Sequence, residues 1–145
     1  MPVTAKVYGL AQQCLANKEI DFDTDTVKVI LCTSAYTPNQ DTHRYRSSVT
    51  NEVANGNGYT TGGQTLAGKT VTYDTATNTL KLTADNVSWP SSTITARYAV
   101  FFVDTGTAGT SPLLCYWDFG EDLASSAGPF NLNMNAAGLL TLVTA

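Results

Sequence analysis

Two apolar runs flank a loop rich in Gly, Thr, Ser and Pro between residues 93 and 120, and they form the clearest strand–loop–strand pattern in the chain. Alternation in the first run puts one apolar set on a single face: Ile94, Ala96, Tyr98, Val100 and Phe102. In the return run, Leu113, Cys115, Trp117 and Phe119 point the same way as one another. Burying side chains of this size is worth about 1.5–3 kcal/mol each. We therefore predict that this pair of strands is the centre of a β core.

The remaining pattern predicts further strands around this pair. Apolar residues at helical spacing favour a short N-terminal helix over residues 5–17, although Val3, Ala5 and Val7 also alternate as a strand would. The other predicted segments are a strand over 26–34, a turn at 36–39, one helical turn within a loop at 41–53, a hairpin with arms 64–74 and 79–84, an extended piece at 87–90, a loop at 121–128, an alternating run at 130–134, a turn at 136–138 and a strand over 139–143.

This spacing predicts one domain over residues 1–145, mainly β, folded as an antiparallel β-sandwich or jelly roll. We expect about seven or eight strands and a short N-terminal helix. The chain has no internal repeat and no low-complexity linker that would divide it.

Charged residues make up 14% of the chain, whereas soluble proteins have about 25%. Such a low share favours a protein that is held in an assembly, since a free monomer usually stays soluble through charge. The net charge of −4 disfavours a nucleic-acid partner.

No apolar run approaches the roughly 18 residues of a membrane span, and no leader is visible, so we expect synthesis in a reducing cytoplasm. Cys14, Cys32 and Cys115 are then buried, reduced thiols.

Asp21, Asp23 and Asp25 raise the question of a calcium site, because they match the opening of an EF-hand loop. Thr26 stands where that loop needs glycine, and Cys32 stands where it needs a bidentate glutamate, which excludes an EF-hand. A looser Ca²⁺ site between loops is one alternative. The other, which we favour, is that these carboxylates cap a turn or lie on the outward face of a strand.

The sequence predicts no catalytic centre, no cofactor and no metal. His43 is the only histidine, and the Gly-x-Ser-x-Gly turn that presents a nucleophilic serine is absent. The alternation places Trp117 in the core and leaves Trp89, beside Pro90, as the aromatic side chain that could stack on a sugar at the surface. A carbohydrate-binding β-sandwich module is therefore one alternative function.

Three segments carry a resemblance to a known family: LANKEIDFDTDTVKVILCTSAYTPNQDTH, NGYTTGGQTLAGKTVTYD and WPSSTITARYAVFFVDTG. Taken together they resemble small structural proteins of tailed bacteriophages, and most of all the capsid cement or decoration proteins. The resemblance implies a jelly-roll or sandwich fold and a homotrimer on the outer surface of the major capsid lattice. It also implies a place in the virion, with the major capsid protein as partner and with neither nucleic acid nor membrane bound. A tail or neck protein, such as a tube, adaptor or fibre-associated protein, is the alternative role.

The residues of such an interface do not follow from the resemblance, so we predict them from residue type. Aromatic residues and arginine dominate the contacts that hold protein interfaces together. They are concentrated in one loop, which gives the predicted capsid-facing set Tyr36, Pro38, His43, Arg44, Tyr45 and Arg46. An ordinary solvated loop is the alternative reading of the same segment.

Overall fold

The computed structural model describes residues 3–135 and 138–144. Its sheets are antiparallel, and it confirms the predicted mainly β, sandwich-like class with one short helix. Ten strands are present in the described residues, more than predicted. In chain order the elements are β1 (Thr4–Val7), α1 (Gly9–Ala16), β2 (Val27–Cys32), β3 (Gln64–Thr65), β4 (Thr70–Asp74), β5 (Thr79–Thr83), β6 (Val87–Ser92), β7 (Thr95–Val103), β8 (Leu113–Ala124), β9 (Gly128–Leu132) and β10 (Leu140–Val143).

The strands form one large sheet, in the order β1-β8-β7-β2-β3, and two small ones, β10-β5-β4 and β6-β9. The main core lies where the small sheets cover one face of the large sheet. Val29 and Phe101 of the large sheet share this core with Leu82 of β5 and with Trp89 and Phe130 of the β6-β9 pair. The predicted central pair, β7 and β8, is thus confirmed at the middle of the fold.

The other face of the large sheet is buried as well. Helix α1 and the segment 33–53 lie across it and enclose a second apolar cluster. Tyr8, Tyr36 and Val49 of this cover pack against Ile30 of β2 and Val100 of β7. With both faces covered, β2, residues 99–103 of β7 and residues 113–116 of β8 are almost completely buried.

The predicted single apolar face of β7 is wrong, because two β-bulges interrupt the pairing of β7 with β8. Ala96 lies opposite Leu123 but Tyr98 lies opposite Asp118, so β8 carries extra residues there. The alternation shifts at that point. Ile94 and Ala96 therefore share the main core with Ala99, Phe101 and Val103, whereas Val100 and Phe102 face the second cluster. The second bulge lies between Phe101 and Phe102, and it turns Leu113 away from Cys115.

The predicted N-terminal helix over 5–17 is only half right. The chain first forms β1, in which Ala5 lies opposite Trp117 of β8, and the helix begins at Gly9 after an extended Tyr8. The alternation of Val3, Ala5 and Val7 was the better guide here. Backbone pairing to the edge of the large sheet outweighs a helical pattern that glycine already weakens.

The hairpin of β4 and β5 is confirmed, with a four-residue connection at 75–78. Its first arm is not the continuous strand 64–74, however, because the chain turns at Gly68, where φ is +63°. Gln64 and Thr65 before the turn pair with β2, so that segment belongs to the large sheet, while β4 belongs to a small one.

Three smaller predictions complete the comparison. The helical turn expected within 41–53 is present as a 3₁₀ turn at Arg46–Ser48. The loop predicted at 121–128 is partly wrong, because β8 continues to Ala124. Residues 136 and 137 of the turn predicted at 136–138 lie outside the described residues.

Candidate interaction surface

The predicted interface loop begins with Tyr36, and the structure corrects its assignment as a contact residue. Tyr36 is only 1% exposed. Its hydroxyl lies 2.8 Å from the hydroxyl of Tyr8 and 3.0 Å from Nδ1 of His43. Burial raises the pKa of Tyr36 to about 12, so its hydroxyl stays protonated near neutral pH. Tyr36 therefore anchors the loop from inside and presents no surface to a partner.

His43 closes the same loop. Its Nδ1 accepts a hydrogen bond from the backbone N–H of Asn39 at 3.3 Å. A backbone N–H can only donate, so the proton of the neutral imidazole is on Nε2. Burial lowers the pKa of His43, which favours this neutral form.

Arg44 and Tyr45 are both held by one carboxylate, that of Glu19, three residues after the end of α1. Arg44 Nη2 donates to Glu19 Oε1 at 2.6 Å, and the Tyr45 hydroxyl donates to Oε2 at 2.7 Å. These hydrogen bonds, from Tyr45 first and then from Arg44, lower the pKa of Glu19. The thiol of Cys14 lies 3.7 Å from the same carboxylate.

Arg46 is held in the same manner by Glu52. Its Nη2 lies 2.7 Å from Glu52 Oε2, and its Nη1 donates to the carbonyl of Val49 at 3.0 Å. The other oxygen of Glu52 accepts from the Tyr59 hydroxyl and from the backbone N–H of Gly62, both at 2.7 Å. Glu52, with 14% of its side chain exposed, thus joins three stretches of chain.

The predicted loop residues therefore do lie together, but mainly as braces across the second face of the large sheet. Pro38, His43, Arg44, Tyr45 and Arg46 all keep part of their surface exposed. An interface on this loop stays a prediction for those five residues.

Sequence reasoning missed a second surface, on the β10-β5-β4 sheet. Cross-strand pairing puts six apolar side chains on one face of this sheet, in two rows: Val71, Leu82 and Leu140, then Tyr73, Leu80 and Leu142. Leu82 and Leu140 are buried, whereas Val71 is 43% and Tyr73 is 50% exposed. The residues that pack on this face therefore bury Leu82 of β5 and Leu140 of β10 but do not extend over β4.

An open groove of about 520 Å³ lies where the cover ends. We call it the sheet groove. Its lining is mainly apolar, with two aspartates and one lysine, and consists of Leu15, Lys18, Ile20, Asp21, Phe22, Asp23, Val71, Leu80 and Leu82. It runs between the turn that follows α1 and the face of the small sheet.

Strand β4 is also the edge of its sheet. Among residues 3–135 and 138–144, β5 alone pairs with its backbone. Edge strands are usually protected by lysine, proline or a bulge. Thr70–Asp74 contains neither lysine nor proline, and its pairing with β5 is regular. Its one charged residue, Asp74, lies at the end of the strand and is paired with Lys81 of β5. The alternation of Val71 and Tyr73 predicts a half-buried strand, but no sequence signal shows which strand lies at an edge.

The three aspartates at 21–25 form a turn, as favoured over a calcium site. Asp25 Oδ2 accepts the backbone N–H of Asp21 at 2.7 Å, and the Asp21 carbonyl accepts the N–H of Asp25. In the part of the chain that the structure describes, no three His, Cys, Asp or Glu side chains are grouped so that they could hold a metal ion.

The prediction of an exposed Trp89 is wrong. Trp89 is 3% exposed and stacks on Tyr59 with ring centroids 5.9 Å apart, because β6 carries it into the main core. Trp117 is partly buried against Phe101. The carbohydrate-binding alternative thus loses the aromatic side chain on which it rested.

The three cysteines are buried and unpaired, as predicted. Burial raises the pKa of Cys32 to about 12 and also raises the pKa of Cys115. These thiols pack as small apolar groups.

None of the helices in the described ranges combines the length and the hydrophobicity needed to cross a membrane. No protein-family model, no curated protein and no solved structure matches this chain.

Proposed function

We propose that this chain is a structural protein of a tailed-bacteriophage virion. It acts there as a capsid cement or decoration protein, which binds the outer surface of the major capsid lattice as a homotrimer and stabilises the shell. It is made in the host cytoplasm and catalyses no reaction. The three sequence segments that resemble this class of protein support the proposal.

The observation that carries the proposal is the contrast between a firmly braced body and an uncovered strand edge. The large sheet is buried on both faces, and Glu19 and Glu52 tie its cover in place. The edge strand β4 nevertheless leaves Val71 and Tyr73 about half exposed to water. A rigid body with an open β edge suits a protein that works by binding to a larger surface.

Such a protein stabilises a shell by linkage. A ligand that binds the assembled lattice, and does not bind free subunits, adds its binding free energy to the stability of the assembly. Contacts to two neighbouring subunits raise the effective concentration at the second site and strengthen this effect.

Binding to shells that lack the chain tests the proposal. The purified protein is mixed with such shells and with free major capsid protein, and each mixture is sedimented. We expect the protein to sediment with the shells, to leave the free subunits unbound and to raise the temperature at which the shells open. Electron microscopy should show threefold clusters over the lattice. Density confined to one vertex or to the tail would assign the chain to the neck or tail instead, and no binding to any particle would overturn the proposal.

A further inference from the structure

We propose that the sheet groove and the open edge of β4 bind an extended, basic segment of a partner protein as an added strand. This inference rests on the proposed function only for the source of the segment, which would then be a neighbouring shell protein. Three independent features of the described residues support it: the backbone of β4, the apolar surface beside it and the charge of the groove.

The backbone supplies the first feature. One side of β4 pairs with β5, and the other side has no backbone partner among the described residues. An extended peptide can bind such an edge through main-chain hydrogen bonds, while alternate side chains enter pockets on one face. The regular register of β4 keeps this edge straight enough to be continued.

The apolar surface supplies the second feature. Val71 and Tyr73 point to the same face as the buried Leu82 and Leu140, but they lack a cover. The groove beside them, at about 520 Å³, falls within the range of about 300–1,000 Å³ that ligand pockets have. Every second side chain of an added strand would therefore meet Val71 or the groove.

Charge supplies the third feature, and it selects the partner. Asp21 and Asp23 line the groove, with Lys18 as the one cation among the lining residues. Lys69, just before β4, is a second cation at the groove, with its Nζ 5.8 Å from the centre of the Phe22 ring. Asp25, whose carboxylate binds the backbone N–H of Asp21, adds a third carboxylate to the same turn, so negative charge remains in excess. An acidic rim favours a segment that carries lysine or arginine. It disfavours the same edge of a second copy of this chain, which would bring its own Asp21 and Asp23 toward these carboxylates.

A peptide-binding measurement tests the inference. The probe is a fluorescein-labelled peptide, Thr-Lys-Thr-Leu-Thr-Val-Thr-Lys, whose lysines share one face of an extended strand with its leucine and valine. Binding is followed by fluorescence anisotropy. We expect the double variant Val71→Ser/Tyr73→Ser to bind it about tenfold more weakly, which corresponds to about 1.4 kcal/mol. The matched control is Val143→Ser, which removes a 71% exposed valine from the opposite face of the same sheet. It should bind as the parent does, and equal losses in both variants would overturn the inference.

Two altered probes test the backbone and the charge without changing the protein. Two peptides are made, one methylated on the odd-numbered backbone nitrogens and the other on the even-numbered ones. Alternate N–H groups of a strand point to opposite edges, and only one edge of an added strand faces β4. One methylated peptide should therefore lose binding, and the other should keep it. Replacing the lysines with glutamate should weaken binding, and added salt should weaken the binding of the basic peptide. Equal binding of both methylated forms, or of the basic and acidic forms, would overturn the inference.

Two further measurements separate this inference from the proposed function and from self-association. If the protein binds shells but does not bind the peptide, the groove inference alone is overturned. Peptide binding by a protein that ignores shells would overturn the cement role alone. Sedimentation velocity that shows a dimer, lost in Val71→Ser/Tyr73→Ser, would overturn the inference in favour of a second copy.

Discussion

The segment 33–53 and the β10-β5-β4 sheet both carry side chains that commonly form interfaces, but they use them in opposite ways. In the segment, Tyr36 is buried and Arg44 and Arg46 are bound to carboxylates of the same chain. In the small sheet, Val71 and Tyr73 remain about half exposed on the face that elsewhere forms the core. Residue type thus indicates which side chains can bind strongly, but it does not show whether they are already buried or paired within the same chain.

Side-chain reach accounts for the difference. Arginine and tyrosine carry a polar group at the end of a long side chain, so they can cross the second face of the large sheet and reach Glu19 or Glu52. Val71 has no polar end and can be buried only by direct cover. The turn that follows α1 covers Leu82 but leaves the edge strand open.

The largest expected effect comes from removing the carboxylate that braces the segment. Glu52→Ala leaves Arg46, the Tyr59 hydroxyl and the Gly62 N–H without their shared acceptor. We expect the free energy of unfolding to fall by about 3 kcal/mol. Urea unfolding measures the change, and the exposed Asp41→Ala is the control that should have little effect. If Glu52→Ala lowers the free energy of unfolding as little as Asp41→Ala does, this carboxylate does not brace the segment.

A pair of tyrosine-to-phenylalanine variants compares the two regions directly. Tyr36→Phe removes a buried hydroxyl and leaves that of Tyr8 without its 2.8 Å partner, which should cost about 1–2 kcal/mol of unfolding free energy. Tyr73→Phe removes a hydroxyl whose contacts, to Asn78 and Thr144, are exposed and 3.3 Å long. Its effect should be close to zero because water can replace them. Thermal and urea unfolding of both variants measure these changes. Equal losses of unfolding free energy in the two variants would contradict the expected difference between the regions.

The pH dependence of stability should identify His43 as the group that titrates nearest neutral pH. Its pKa is lowered in the folded protein, so the unfolded chain binds a proton first and stability falls as the pH drops below about 6.5. The pKa values of Glu19, Asp74, Asp104 and Asp118 are also lowered. Their stabilising contribution is present above about pH 4 and is lost only as the pH falls through their folded pKa values.

His43→Asn tests this assignment, since asparagine offers an acceptor to the Asn39 N–H and does not titrate. We expect the loss of stability that begins as the pH falls below about 6.5 to disappear in this variant, while the loss caused by the carboxylates at lower pH remains. An unchanged pH profile would show that His43 does not govern this range.

The sequence predicted the class of fold and its centre, since long apolar runs around a Gly-rich loop have few other solutions. It failed where extra residues in the partner strand changed the alternation, as at the bulge after Ala96. It also failed at Trp89: the neighbouring Pro90 led us to predict a loop at the surface, but β6 buries this tryptophan. Local pattern cannot report bulges that depend on the partner strand.

The candidate surfaces were harder to predict for a related reason. An internal partner such as Glu19 lies 25 residues from Arg44 along the chain, so the sequence does not show that the arginine is already paired. The exposure of Val71 depends on its strand being at the edge, which is a property of the assembled sheet. Both facts belong to tertiary structure.

The smallest expected effect is at Val71 itself. Val71→Thr keeps the shape of a β-branched side chain on a position that is 43% exposed, so the free energy of unfolding should change by no more than about 0.5 kcal/mol. The same substitution at Val29, which is fully buried in β2, places a hydroxyl in the main core and should cost about 1–3 kcal/mol. Urea unfolding of the two variants measures the difference. If Val71→Thr proves as costly as Val29→Thr, Val71 is already covered in solution, and the sheet groove is closed by the chain itself and unavailable to a partner.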